Sequence, residues 1–231
     1  MAFYYSPKIV TDGLVLYLDA ANPNSYVSGS TTWRDISRGG NNGTLINGPT
    51  YSSLNEGSIV FDGINEYGSV ISNQVITNDF TFTVWAKRDG DTSTTIGGMF
   101  GNHNNIELSG ANIFFRNSST VVSIAAGNGV TRPAFQISIP RLNTEWNFYV
   151  IRYSGTTFQL YFNGILLDSR TAVVVQSLNS NRYGIGIWAL SYLAEYYLNG
   201  KISQCSSYNR ALSSDEILQN YNATKSRFGL I

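Results

Sequence analysis

The chain predicts an all-β fold, a two-sheet antiparallel sandwich with one short C-terminal helix, and three observations carry that prediction. Apolar residues recur at every second position, as in Phe80-Thr-Phe82-Thr-Val84-Trp-Ala86, so alternate side chains face a core and their neighbours the opposite side. Asn163-Gly164 stands between two alternating runs, a strong hairpin signal, because both central residues of a type I′ turn need positive φ. Turn-forming and hydrogen-bonding residues punctuate everything else: 24 Asn, 27 Ser, 18 Thr and 22 Gly among 231 residues.

Taken in order, the alternation places strands near residues 13–19, 58–61, 67–70, 80–86, 95–100, 105–108, 111–116, 121–125 and 135–139. Residues 145–170 then read as a three-stranded meander, turning at Ser154-Gly155-Thr156 and at Asn163-Gly164. Two more strands follow near 183–189 and 200–208. Ser213-Ser-Asp-Glu216 is a capping-box pattern with Ile217, Leu218 and Tyr221 as an apolar stripe behind it, so residues 213–223 should form a helix packed on the sandwich edge. About a dozen short strands broken by Gly and Asn fit one sandwich domain over 1–231, with no repeat, linker or low-complexity tract.

Composition narrows the chemistry. Fifteen basic and fifteen acidic residues cancel, and charged residues make up 13% of the chain, about half the usual share, which argues against nucleic-acid binding. A single cysteine, Cys205, excludes an internal disulfide, and its place in an alternating strand points it into the core. One histidine, His103, leaves little for zinc or His-based catalysis; in Gly-Asn-His-Asn-Asn it reads as a loop hydrogen-bonder or as part of a binding loop. No apolar run approaches the roughly 20 residues a bilayer needs, and Met1-Ala-Phe-Tyr-Tyr-Ser-Pro lacks signal-peptide order, so a soluble protein made in a cytosol is expected, without membrane insertion.

Twelve Phe, 15 Tyr and 4 Trp are enough for a large core with some left for a surface. Trp85 and Trp146 lie in strand text and belong to the core. Tyr26 and Trp33 lie among Asn, Ser and Thr, the company an aromatic keeps when it stacks on a sugar; core packing is the alternative. Trp188, Tyr192, Tyr196 and Tyr197 crowd one stretch beside Glu195, and so aromatic a run is costly to expose unless it meets a partner. Eleven Arg against four Lys also favours interfaces. The contact candidates are therefore Tyr26, Trp33, His103, Trp188, Tyr192 and Tyr196.

Three segments together resemble the concanavalin A-like lectin/glucanase superfamily in its laminin-G-like jelly-roll branch: Gly13-Leu-Val-Leu-Tyr-Leu-Asp-Ala20, Gly57-Ser-Ile-Val-Phe-Asp62-Gly63-Ile-Asn65-Glu66-Tyr67, and Gly200-Lys-Ile with Tyr208-Asn-Arg-Ala-Leu-Ser-Ser-Asp-Glu-Ile217. Ser30-Thr-Thr-Trp33-Arg-Asp35, Asn41-Asn-Gly-Thr44-Leu-Ile-Asn-Gly48-Pro49-Thr-Tyr51 and Leu218-Gln-Asn-Tyr-Asn222-Ala-Thr-Lys225 are similar to short stand-alone versions among virion proteins of tailed bacteriophages. The resemblance implies a jelly roll on the particle surface, a non-catalytic decoration or accessory protein that is homo-oligomeric and contacts other virion proteins and host surface glycans. A lectin with its own sugar site is the alternative.

Glucanases of this superfamily carry Glu-x-Asp-x-Glu on one strand, and this chain has no such triplet, so no enzyme activity is expected. Relatives also imply a structural calcium ion held by the Asp of the Phe-Asp-Gly turn and an acid after Gly-x-Ile. Here Asp62, Asn65 and Glu66 are the candidate ligands, yet Ser203-Gln204 replaces the acid, so either the site needs no cofactor and Asp62 caps its own turn, or calcium is retained.

Overall fold

The structure, a computed structural model, describes residues 8–73, 79–90, 96–102, 109–116, 120–128, 134–171, 181–188 and 196–231. The strands are β1 (Leu14–Asp19), β2 (Thr32–Trp33), β3 (Gly43–Ile46), β4 (Thr50–Ser52), β5 (Ser58–Asp62), β6 (Tyr67–Ile71), β7 (Phe80–Arg88) and β8 (Ile96–Gly101). They continue as β9 (Ser109–Arg116), β10 (Val121–Asn128), β11 (Ala134–Ser138), β12 (Asn147–Ser154), β13 (Thr157–Phe162), β14 (Ile165–Thr171), β15 (Arg182–Ile185) and β16 (Asn199–Tyr208), before helix α1 (Ser214–Thr224). All pairings are antiparallel and form two sheets of eight strands. The first runs β14-β13-β12-β7-β16-β5-β4, with β1 also beside β16; the second runs β11-β10-β9-β8-β15-β6-β3-β2.

The alternation of β7 shows how the sequence builds this. Phe80, Phe82, Val84 and Ala86 face the second sheet, where Phe82 meets Phe100 and Tyr183 at 5.7 and 5.8 Å between ring centres. Each such fully buried aromatic contributes about 1.5–3 kcal/mol. Trp85, of opposite parity, faces outward with Phe148, Val150, Tyr161 and Tyr208 into a second core. Asn163 and Gly164 adopt φ of 51° and 84°, so the β13–β14 turn is the one Asn-Gly signals.

α1 lies over that second core, across the outer face of the first sheet rather than at the sandwich edge. The reason is the outward aromatic layer, which the helix and the following turn (Lys225–Phe228) cover: Phe228 stacks on Trp85 at 4.2 Å and Trp85 Nε1 donates to Thr224 Oγ1 at 2.8 Å. The capping box is present as expected, Ser213 and Glu216 each accepting from the other's backbone N–H. No described helix is long and apolar enough to cross a membrane.

Three strands escaped the sequence reading, β2, β3 and β4, each four residues or fewer among turn residues. The strand expected over 183–189 stops at Ile185, because Gly186 turns with φ +70° against the ring of Phe61, where a Cβ would stand 2.8 Å away. The strand expected at 105–108 lies outside the described residues.

Candidate functional site

A cleft of about 340 Å³ opens between the loop that follows β1 and the turn that joins β3 to β4. Tyr26, Tyr51, Leu45 and Pro49 form its apolar wall. Ser28, Gly29, Ser30 and Thr31 make one lip, Gly48 and Thr50 the other. The volume lies at the low end of ligand pockets, and an aromatic floor with a few polar groups is their usual make-up.

Local hydrogen bonds fix each part. Ser25 and Tyr26 donate their N–H to the Asn22 carbonyl, and buried Ser25 Oγ accepts from Asp19 N at 3.0 Å while donating to Arg34 O at 2.6 Å, which pins the loop to β1. Tyr26 donates its hydroxyl to Ser30 O at 3.0 Å, and Tyr51 donates to Glu56 O at 3.4 Å. The two rings sit 5.4 Å apart, tilted by 32°. Burial raises the Tyr26 phenol above its ordinary pKa, so it stays protonated. Gly29 and Gly48 have φ of +83° and +86°, and a Cβ at either would meet nothing within 4 Å, so both lips are bare backbone at their crests.

Of the aromatic contact candidates, Tyr26 lines this cleft, although its ring is itself buried in the inter-sheet core, so that the half-buried Tyr51 is the ring a ligand meets and Tyr26 the one that backs it. Trp33 does not line it: it is fully buried and braces Tyr26 from behind, edge-on at 6.3 Å. An indole inside the sandwich cannot stack on a sugar, which corrects its assignment as a contact residue. Trp188 is likewise buried. It packs on Phe114 at 5.6 Å and on Tyr196 at 5.0 Å, and Asn112 Nδ2 donates to its carbonyl at 2.7 Å. Trp188 and Tyr196 thus pack with Phe114 and Ala125 on the outer face of the second sheet, and the chain itself covers much of the aromatic run that seemed to need a partner. Tyr196 is half-buried there; Tyr192 and His103 lie outside the described residues. Tyr51, which the sequence reading passed over as part of a motif, is the missed member of the cleft; its signal was position beside the Gly48-Pro49 turn.

The candidate calcium ligands hydrogen-bond within their own turn. Asp62 Oδ1 accepts from Ile64 N at 2.8 Å and Asn65 N at 3.4 Å, an Asx turn, and Glu66 Oε2 accepts from Asp62 N at 2.9 Å. Burial raises the Glu66 carboxyl pKa, with the Asp62 charge adding to it. The strand register sets Asn199 opposite Asp62 and leaves Ser203 four residues further along β16, where Arg227 donates to its Oγ at 3.0 Å. A cation already occupies that end, and the described residues hold no cluster of three His, Cys, Asp or Glu. Asp62 and Glu66 are thus each engaged through one oxygen with their own turn, whereas a calcium ion needs six to eight oxygens.

Two further carboxylates are consumed structurally. Asp35 accepts from Tyr17 N, Ser37 N, Ser37 Oγ and Asn41 N, all within 2.9 Å, and so holds the loop between β2 and β3. Asp19 is gripped by Arg227.

The chain is thus a twin-sheet jelly roll of lectin-like fold that carries an aromatic-walled, uncharged cleft. The chain belongs to the concanavalin A-like lectin/glucanases superfamily: a laminin-G-like family model of that description matches residues 62–218, more than half of its length. Solved structures agree in fold. A botulinum neurotoxin serotype D ligand binding domain in complex with N-acetylneuraminic acid superposes with a TM-score of 0.70 at 15% identity, covering 92% of this chain and 51% of that one. The binding domain of Paraclostridial Mosquitocidal Protein 1 gives 0.70 at 16%, covering 91% and 52%. Botulinum neurotoxin type C, whose cell entry depends on interaction with two ganglioside molecules, gives 0.71 at 12%, covering 93% and 52%. The chain thus spans about half the length of each. No curated protein matches it in sequence.

Proposed function

We propose that the chain is a non-catalytic carbohydrate-binding module and that its sugar site is the cleft between Tyr26 and Tyr51. The carrying observation is the tilted tyrosine pair, 5.4 Å between centres, walled by Leu45 and Pro49 and rimmed by hydroxyls. A pyranose presents an apolar C–H face to such rings and its hydroxyls to such a rim. The neighbours that bind N-acetylneuraminic acid and interact with gangliosides support a glycan-binding use of the fold. Binding to an array of oligosaccharides, followed by calorimetry on the best of them, tests the reading. Tyr51→Ala, at a half-buried position, should weaken binding at least about tenfold, close to 1.4 kcal/mol, with the circular dichroism spectrum unchanged. An array without a single bound glycan removes the reading.

A second reading has an observation of its own. β14 closes one side of the first sheet, no described strand pairs with its outer edge, and Ile165 and Leu166 are exposed on it with Leu218 nearby. Open edges of this kind recruit other chains. On this reading the module is a homo-oligomeric surface protein of a phage particle that docks on virion partners. Sedimentation of Leu166→Lys against the parent chain tests it: a shift from oligomer to monomer favours attachment through β14. The resemblance to phage virion proteins put this reading first and the aromatic run around Trp188 supported it; the burial of Trp188 removes that support.

A further inference from the structure

We propose that the Tyr26–Tyr51 cleft selects uncharged, hydroxyl-rich saccharides and rejects those capped with a carboxylate; this rests on the reading of the cleft as a sugar site. None of its ten lining residues is Asp, Glu, His, Lys or Arg. A carboxylate entering the cleft would lose water and meet no cation in return, a desolvation that uncharged hydroxyls do not face.

The hydrogen-bonding sense of the cleft points the same way. Both phenolic protons are already donated, Tyr26 to the Ser30 carbonyl and Tyr51 to the Glu56 carbonyl. Ser30 Oγ likewise donates to Thr32 O and accepts from Thr32 N. What these oxygens still offer a ligand is lone pairs. Sugar hydroxyls can donate to them, whereas an ionised carboxylate can only accept. At these three oxygens acceptor would face acceptor, which is repulsive; the Ser28, Thr31 and Thr50 hydroxyls can turn to donate, so the missing cation carries most of the selectivity. At the lips, Gly29 and Gly48 leave open space, so a neutral chain can extend past either side without meeting a side chain there.

The N-acetylneuraminic acid bound by the serotype D neighbour carries a carboxylate, so this cleft departs from that ligand. Pairs of neutral oligosaccharides and their sialyl-capped counterparts, titrated calorimetrically into the full chain at low and high salt, test the inference. The neutral member should bind at least about tenfold more tightly, with little salt dependence because no ion pair forms. Thr31→Arg, at an exposed lip position, should restore the capped member by about tenfold and make its binding salt-sensitive. Equal or tighter binding of the capped member to the parent chain overturns the selectivity and leaves the sugar-site reading standing. Saccharide binding that survives Tyr51→Ala places the site elsewhere and overturns both, as does failure of every saccharide to bind.

Discussion

Arg227 grips both carboxylate oxygens of Asp19, at 2.9 and 3.1 Å, across 208 residues of sequence. Asp19 also accepts from Tyr17 Oη at 3.2 Å and Ala21 N at 3.0 Å, while Arg227 reaches Ser203 Oγ and, at 3.3 Å, Glu56. Both side chains are about nine-tenths buried. The pair fastens the C-terminal turn to β1 and β16, beside the loop that carries Tyr26. Arg227→Met should leave Asp19 buried without its cation and cost about 3–5 kcal/mol in urea unfolding, because the desolvation of the remaining charge is no longer offset. Arg227→Lys should recover only part, since an ammonium cannot make the two-pronged contact. A loss under about 1 kcal/mol for the Met variant would show that the network tolerates the gap.

Acid should loosen the N-terminal end of α1 through a different pair. The two hydrogen bonds from Arg210 hold the Glu216 carboxyl down at about 2 from an ordinary 4.5, against a smaller opposing effect of burial. A folded-state pKa depressed in this way contributes stability that is complete above about pH 4.5 and is lost as pH falls toward about 2. Glu216→Gln should therefore lower the melting temperature at neutral pH and flatten its fall over that acid window. Ser213→Ala removes the other half of the capping box and should cost about 1 kcal/mol at every pH. Parallel melting curves for Glu216→Gln and parent through the acid window would refute the assignment.

The sequence reading succeeded where chemistry is local. Period-two alternation placed β7, the Asn163-Gly164 dipeptide placed the β13–β14 hairpin, and Ser213 with Glu216 placed α1. The Asx turn of Asp62 was one of two alternatives already open. It failed where a residue's neighbours come from far along the chain. β3 and β4 are strands because β6 and β5 supply their partners, and β2 because β3 does, not because their own residues alternate for long. Trp33 sits among polar residues in sequence yet faces the inter-sheet core, and nothing near Asp19 announces Arg227. Tyr51 could be found as a site residue only once β4 lay beside the loop of Tyr26.

Cys205 offers a direct test of the core. Its side chain is fully buried, it pairs in register with Leu18 and Val84, and burial raises its thiol well above the ordinary range. A thiol that is neither accessible nor ionised does not react. The native chain should resist a disulfide reagent at mildly alkaline pH, and the rate in increasing urea should track global unfolding. Fast labelling without denaturant would place β16 differently.

The Asx geometry of Asp62 predicts indifference to calcium. A resident ion would raise stability with concentration by mass action. With Asp62 and Glu66 hydrogen-bonded to their own turn, chelation and calcium addition should each move the melting temperature by less than about 1 °C. A calcium-dependent rise would call for ligands from beyond the described residues.

Gly98 decides whether the aromatic run around Trp188 can be self-covered. A Cβ there would stand 2.1 Å from both the Ile187 carbonyl carbon and the Trp188 nitrogen, backbone atoms that cannot swing aside. Gly98→Ala must push residues 187 and 188 off the second sheet or fail to pack, and overpacking of this kind typically costs about 1–3 kcal/mol. Trp188 would then lose Phe114 and Tyr196, and its emission should shift to the red while the buried Trp33, Trp85 and Trp146 hold theirs. Trp188→Phe, which keeps the backbone and most of the packing, should remove that red-shifted component when combined with Gly98→Ala. Displaced aromatics would also enlarge an exposed apolar patch, so self-association should increase in the alanine variant, seen by sedimentation. An unshifted spectrum with an unchanged melting temperature would mean that the segment does not rest on Gly98, and the reversal of the two functional readings would lose its basis.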